Sequence, residues 1–195
     1  MWWAMTYEPI IELTVLILTL VAVASVLGWY LLTGTPPMPS SPAVKRAMLA
    51  ALPNKLEGTV YDLGSGWGGM AFALARRYHG CRVIGFEVSP LPWVFSRLRL
   101  LLQPTPNLYF RCRSFHKVSQ EDAVLVVSYL GPCAMEKLKL KLEAELKPNT
   151  LVLSIFFRVP DWRPASEHMV SDMHKTPVYL YRVRDKNKIN GHSTG

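Results

Sequence analysis

The chain has 195 residues, half of them hydrophobic, and a formal net charge of +8. Beyond the first forty residues, enough chain remains for one α/β domain but not for two. Its three cysteines, Cys81, Cys112 and Cys133, are odd in number and far apart, which argues against a disulfide framework and a cysteine-rich zinc site. The five histidines show no metal-binding spacing, so we assign no metal.

The charge is unevenly distributed along the chain. The charged residues among the first 44 are Glu8 and Glu12 alone, so the net charge is −2 there and +10 in the remainder. Solubility is the simplest reason for a basic surface, but an anionic membrane surface or a nucleic acid would also suit it. Charge alone does not separate these alternatives.

A charge-free segment of twenty residues runs from Leu13 to Leu32 and is long enough to cross ~30 Å of hydrocarbon. The preceding residues are aromatic and acidic, which favours a retained span over a cleaved signal peptide. We therefore predict that residues 1–33 contain one transmembrane helix at about residues 11–32. Aromatic residues that would suit the two membrane interfaces are Trp2, Trp3 and Tyr7 before the span and Trp29 and Tyr30 at its end.

The charges that flank the span predict its orientation. Glu8 and Glu12 precede it, whereas Lys45, Arg46 and Lys55 follow it. By the positive-inside rule, the C-terminal domain lies on the cytoplasmic side, or on the matrix side in a mitochondrial protein.

A Pro-rich connector at residues 34–42 leads to a domain that we predict over residues 43–184, followed by a polar tail at 185–195. Hydrophobic periodicity predicts helices at 42–52, 70–77, 92–102 and 134–146. It predicts strands at 59–63, 82–87, 108–112, 123–128, 150–156 and 178–183, the last antiparallel. This alternation indicates a Rossmann-like, mostly parallel sheet with helices on both faces, whose ligands bind beyond the carboxyl ends of the strands.

The glycine-rich turn after the first predicted strand is the strongest functional signal. Gly64, Gly66 and Gly69 satisfy the dinucleotide pattern G-x-G-x-x-G, with Glu87 about twenty residues further on. However, Asp62 lies two residues before the first glycine, and an acid there is unfavourable for a pyrophosphate at the helix N-terminus. It suits S-adenosylmethionine, which carries an ammonium and a sulfonium. Glu87 could accept hydrogen bonds from both ribose hydroxyls.

These residues resemble motif I of class I methyltransferases, and further segments resemble one branch of them. The branch contains the membrane-anchored protein-lysine methyltransferases that in mitochondria modify the adenine nucleotide translocase and the ATP synthase c-subunit, with shorter prokaryotic relatives. Segments similar to its patterns follow the N-terminal span: Met38-Pro39-Ser40, Glu87 to Arg97, Ser114 to Val118, and Phe157 to Pro164.

The resemblance implies a seven-strand fold, S-adenosylmethionine as cofactor, and a set of site residues. Those expected to bind the cofactor are Asp62, Gly64, Ser65, Gly66, Gly68, Glu87 and Ser114. Ser114 stands where the branch usually has Asp or Asn facing the adenine amino group, His116 replaces a tryptophan, and Trp67 replaces a polar residue of motif I. Tyr129, after the fourth strand, is a candidate for orienting the acceptor amine.

The sequence therefore predicts an S-adenosylmethionine-dependent methyltransferase that acts on a lysine of a membrane-associated protein, with the bilayer and that protein favoured over a nucleic acid as partners. Two alternatives are methylation of a lipid or small hydrophobic molecule, and a binding protein that keeps the cofactor site without transferring methyl groups. RNA methylation is a lesser option that follows from the charge of +10.

Overall fold

The computed structural model describes residues 4–33, 41–171 and 175–184. The chain divides into two compact units, Met1–Pro37 and Met38–Gly195. Trp2, Trp3, most of the predicted connector, the tail at 185–195, and the side chains of Trp29 and Tyr30 lie outside the described part.

The first unit is one long helix, α1 (Ala4–Thr33). Among the described residues it is the one helix long and apolar enough to cross a membrane, over Tyr7–Ser25, and none of that window is buried. The helix begins before the span predicted at residues 11–32, because the acids that bound the uncharged segment do not interrupt helical hydrogen bonding. Exposure along the whole window differs from what a core helix of a soluble domain would show.

The second unit is built on a seven-stranded sheet in the order β3-β2-β1-β4-β5-β7-β6. Five strands are parallel: β1 (Gly58–Leu63), β2 (Cys81–Glu87), β3 (Leu108–Cys112), β4 (Ala123–Ser128) and β5 (Leu151–Ile155). The strand β7 (Pro177–Arg182) enters antiparallel between β5 and β6 (Ser166–Met169). This confirms the predicted Rossmann-like class and the antiparallel last strand.

Helices cover both faces of the sheet and enclose two apolar cores. On one face lie α2 (Pro42–Ala51), α3 (Gly69–Arg77) and α4 (Pro90–Leu102). On the other lies α5 (Pro132–Glu145), together with a short 3₁₀ turn at Phe115–Lys117. Because all five parallel strands end at the same edge, the residues that follow them gather there.

Local chemistry explains where α2 begins. Ser41 precedes it in extended conformation, its hydroxyl accepts the Val44 N–H at 3.2 Å, and Pro42 occupies the first turn. Val44, Met48 and Leu52 are buried on the face predicted from their spacing. The cap and the apolar stripe together fix α2 against the sheet.

Candidate active site

The turn between β1 and α3 is fixed to the neighbouring strand by backbone hydrogen bonds. The N–H groups of Gly64 and Ser65 both donate to the carbonyl of Phe86 at 2.9 Å, and the Gly68 N–H donates to the Ser65 carbonyl at 2.8 Å. The turn is therefore a rigid cradle at the carboxyl edge of the sheet.

Two of its glycines are required for different reasons. Gly68 has φ +77°, and a Cβ there would lie 2.7 Å from Cζ of Phe110 and 2.9 Å from Oγ of Ser96. Gly66 has φ +51°, and a Cβ there would meet no atom within 4 Å. Gly68 thus allows close packing inside the domain, whereas Gly66 borders open space, as a residue that a ligand approaches should.

Asp62 ends β1 as a buried carboxyl group, with 4% of its surface exposed. It accepts a backbone hydrogen bond from Ala71, while its Oδ2 has no partner among the described residues. Burial, and secondly the charge of Glu87, raise the pKa of Asp62 to about 7. A cationic ligand group at Oδ2 would supply both the missing hydrogen bond and the missing countercharge.

Glu87 ends β2 and holds the turn directly. Its Oε2 accepts the Gly66 N–H at 2.8 Å, and its Oε1 accepts the Ser89 N–H at 2.8 Å. A carboxylate has about four lone-pair sites, so each oxygen keeps one for a further donor. Glu87 can therefore shape the turn and accept two hydroxyl groups of a ligand together.

Ser114 and Tyr129 lie at the same edge, on either side of these acids. Ser114 follows β3. The N–H of the preceding residue, Arg113, donates to the Glu87 carbonyl at 3.1 Å, and the carbonyl of Ser114 accepts the Lys117 N–H at 3.2 Å. Tyr129 follows Ser128, which is paired in register with Leu63 immediately before the glycine turn. The fold thus brings the predicted site residues together at one edge of the sheet.

The side chains present fit S-adenosylmethionine. Oγ of Ser65 is, like Oδ2 of Asp62, buried without a hydrogen-bond partner in the part of the chain that the structure describes. Two such polar atoms around a turn with open space at Gly66 indicate a site completed by a ligand. Asp62 would hold the ammonium of the cofactor and Glu87 its ribose.

Three features of the site were not predicted from the sequence, and the first two are contacts. Oγ of Ser96, fully buried on α4, donates to the Gly66 carbonyl at 3.1 Å. Trp67 packs edge-on against Phe95 of α4, with ring centroids 5.2 Å apart, so it covers that helix. Neither contact has a signal in the sequence, because each joins residues about thirty positions apart.

The third feature is Phe156, which follows β5 at the same edge. It has φ +68°, which is unusual for an aromatic residue, and the residue is 42% exposed. Its N–H donates to the Pro177 carbonyl at 2.9 Å, which holds the backbone in this conformation. Strained residues of this kind concentrate at functional sites.

Comparison with known proteins gives a consistent family. The family model of the ANTKMT methyltransferase domain matches residues 62–166. A protein-lysine N-methyltransferase of Saccharolobus islandicus (strain REY15A) is 32% identical over 156 residues, which are 76% of this chain and 93% of that protein. The adenine nucleotide translocase lysine N-methyltransferase of Mus musculus is 32% identical over 113 residues, 56% of this chain and 48% of that protein.

A solved structure shares the fold and the cofactor chemistry. The RNA methyltransferase from Salinibacter ruber, crystallised with S-adenosyl-L-homocysteine, superposes with a TM-score of 0.69 at 27% identity. The match covers 76% of this chain and 95% of that one. S-adenosylhomocysteine is the demethylated product of S-adenosylmethionine, which identifies the cofactor of such enzymes.

Proposed function

The chain belongs to the ANTKMT methyltransferase family and is an S-adenosylmethionine-dependent methyltransferase, and from this premise we propose that it methylates the side-chain amine of a lysine in a membrane-associated protein. The relative from Saccharolobus islandicus, named as a protein-lysine N-methyltransferase, is matched over 93% of its length, which supports lysine as acceptor.

The observation that carries the proposal is the buried, half-partnered carboxyl of Asp62 beside the glycine turn. When bound, S-adenosylmethionine supplies an electrophilic methyl group on a sulfonium. Asp62 would hold the ammonium of the cofactor, Glu87 would accept its ribose hydroxyls, and the turn from Gly64 to Gly68 would cradle it. Ser114 would meet the adenine with a hydroxyl in place of a carboxylate or amide.

The acceptor side is formed by the segments after β4 and β5, which are hydrogen-bonded neighbours. Tyr129 and Phe156 follow these strands and would line the entry of a lysine side chain. An amine attacks only in its neutral form, so a poorly solvated passage helps by lowering the pKa of lysine. Aromatic faces also attract the ammonium before it loses its proton.

The membrane part of the proposal rests on α1 and on charge. Residues 13–32 form an uncharged helical segment of membrane-spanning length before the domain, and the flanking charges favour a cytoplasmic or matrix position for residues 43–184. A tether of this kind raises the effective concentration of the enzyme for acceptors at the bilayer surface. The tether would raise the effective concentration for a lipid or small hydrophobic acceptor in the same way.

RNA is the second candidate acceptor. The likeness to an RNA methyltransferase and the net charge of +10 outside the first 44 residues both favour it. Lysine ranks first because the family model and the two lysine methyltransferase relatives agree.

The test uses radiolabelled S-adenosylmethionine, the full chain and cell membranes. We expect label in protein, recovered as methyllysine after acid hydrolysis and absent with Asp62→Ala. Asp161→Ala is the matched control, because Asp161 is an exposed carboxylate that pairs with Lys139. Label that is released by nuclease, or that partitions into the lipid extract, would contradict lysine as acceptor. Label unchanged by Asp62→Ala would contradict the cofactor site.

A further inference from the structure

Helix α4 carries an apolar face that the described part of the chain leaves exposed. Its inner side packs on the sheet through Pro92, Ser96, Trp93 and Leu100. Its outer side presents large apolar side chains whose exposed fractions rise from 42% to 84%: Val94, Phe95, Leu98, Leu101 and Leu102. Because these residues recur every three or four positions, they form one stripe, which we call the α4 face.

Arginines lie along both edges of the α4 face. At 100° per residue, Arg97 falls beyond one edge and Arg99 beyond the other. Arg97 is exposed, and the guanidinium of Arg99 lies over the Phe72 ring at 4.3 Å. The helix contains no Asp or Glu. An apolar stripe between cationic edges is the pattern of helices that lie in the interface of an anionic bilayer.

The same charges disfavour a second copy of the chain as the occupant. A symmetric contact would place the α4 face against itself, so that each arginine edge would meet cations without an acid on either helix. A lipid surface instead offers acyl chains to the leucines and phosphates to the arginines.

The α4 face is continuous with the cofactor turn. Phe95 belongs to the face and contacts Trp67, which lies between Gly66 and Gly68. The next residue, Ser96, donates to the Gly66 carbonyl at 3.1 Å. We propose that the α4 face lies in the interfacial layer of a bilayer containing anionic lipid, and that Trp67 is the part of the cofactor turn that reaches this layer.

The test measures the depth of one side chain in the full chain reconstituted into bilayers. The background carries Cys112→Ser and Cys133→Ser, since these thiols are exposed and Cys81 is buried. Leu101→Cys is labelled with an environment-sensitive fluorophore, and Leu140→Cys on α5 is the control because Leu140 is 68% exposed. In phosphatidylcholine–phosphatidylserine bilayers with brominated acyl chains, we expect at least about twofold more quenching at position 101 than at 140.

Each other outcome counts for or against the proposal. Equal quenching at both positions, or none at 101, overturns it. A blue shift at 101 that grows with protein concentration in detergent without lipid also overturns it, since a second copy then covers the face. Arg97→Glu should reduce quenching in anionic bilayers, whereas Lys137→Glu, a control on α5, should leave it unchanged; equal effects would overturn the lipid assignment. Because the readout is quenching, it is independent of which acceptor is methylated.

Discussion

At the scale of single residues, the site holds a buried carboxyl group whose Oδ2 has no hydrogen-bond partner within residues 4–33, 41–171 and 175–184. This group is Asp62, and after burial the charge of Glu87 raises its pKa further. Buried carboxylates are normally paired, because an uncompensated charge in a poorly solvated site is costly. The free protein bears this cost at the place where a cationic ligand group would remove it.

Asp62→Asn should stabilise the free protein while abolishing cofactor binding. The pKa of Asp62 is about 7 in the folded chain against an ordinary 3.8, so between these values the folded state binds more protons than the unfolded state. Wild-type stability should therefore fall as pH rises from about 4 to 7, by a few kcal/mol at most. Asparagine does not ionise, so thermal unfolding at pH 8 should show a melting temperature several degrees higher.

Affinity for the cofactor should rise with pH over the range in which stability falls. The ionised carboxylate is the form that binds an ammonium, so S-adenosylhomocysteine should bind several-fold more weakly at pH 6 than at pH 7.5 when titrated calorimetrically. The asparagine variant should show neither the binding nor this pH dependence. If the asparagine variant binds S-adenosylhomocysteine like wild type, Asp62 does not bind the cofactor.

Gly66→Ala and Gly68→Ala should separate binding from folding. Both positions have positive φ, but only the Cβ at 68 would press against Phe110 and Ser96. We expect Gly68→Ala to lower the free energy of unfolding by about 2–4 kcal/mol. Gly66→Ala should cost about 1 kcal/mol and instead weaken binding of S-adenosylhomocysteine.

Denaturant titration and calorimetry of the two variants check this prediction. Equal loss of stability in both would show that the space beside Gly66 is needed by the protein rather than by a ligand.

At the scale of elements, patterns that depend on neighbouring residues could be predicted. The strands β3 and β4 have the predicted bounds, and the other predicted strands and helices of the second unit differ by one or two residues at their ends. The helix α1, by contrast, begins seven residues before the span predicted at about residues 11–32. The strand β6 was not predicted, because Ser166–Met169 is mostly polar and exposed. It is a strand only because β7 offers it a pairing edge, and such long-range pairing leaves no periodicity in the sequence.

The same distinction holds inside the site. Asp62, Glu87 and the glycines could be predicted as site residues because their types and spacing are set by the local backbone of a strand–turn–helix. The hydrogen bond from Gly66 to Glu87 depends on the pairing of β1 with β2, and the contact of Trp67 with Phe95 depends on how α4 packs. Residue spacing encodes neither.

Met48→Ala should test how much α2 contributes to the domain. Met48 is fully buried, and α2 packs on α3 and on the strands β6 and β7. Truncation leaves a cavity, so the free energy of unfolding should fall by about 2–4 kcal/mol. Arg46→Ala on the exposed side of the same helix should change it by no more than about 0.5 kcal/mol. A similar, small effect of both would mean that α2 is not part of the cooperative unit.

At the scale of the whole molecule, the N-terminal unit should affect methylation of membrane acceptors, whereas the domain should determine cofactor affinity. The residues proposed to bind cofactor and acceptor lie in the second unit, Met38–Gly195. Deletion of residues 1–37 should therefore leave the affinity for S-adenosylhomocysteine within about twofold of wild type, since no proposed binding group is lost. Methylation of acceptors in membranes should fall by about 10²-fold, because the deletion removes the proposed tether and with it the high local concentration of acceptors.

Calorimetry and label incorporation into membranes measure the two effects. Unchanged membrane methylation after the deletion would show that the first unit does not direct the enzyme to its acceptor, although the α4 face could then account for what remains.

The position of β7 in the sheet has a consequence for synthesis. Since β7 lies between β5 and β6, the sheet is incomplete until Pro177–Arg182 has left the ribosome. The helix α1 ends about 140 residues earlier, so at ~5–20 residues per second it is exposed for roughly 7–30 s before the last strand can pair. If α1 spans a membrane as proposed, the nascent chain reaches that membrane first and closes its catalytic domain there afterwards.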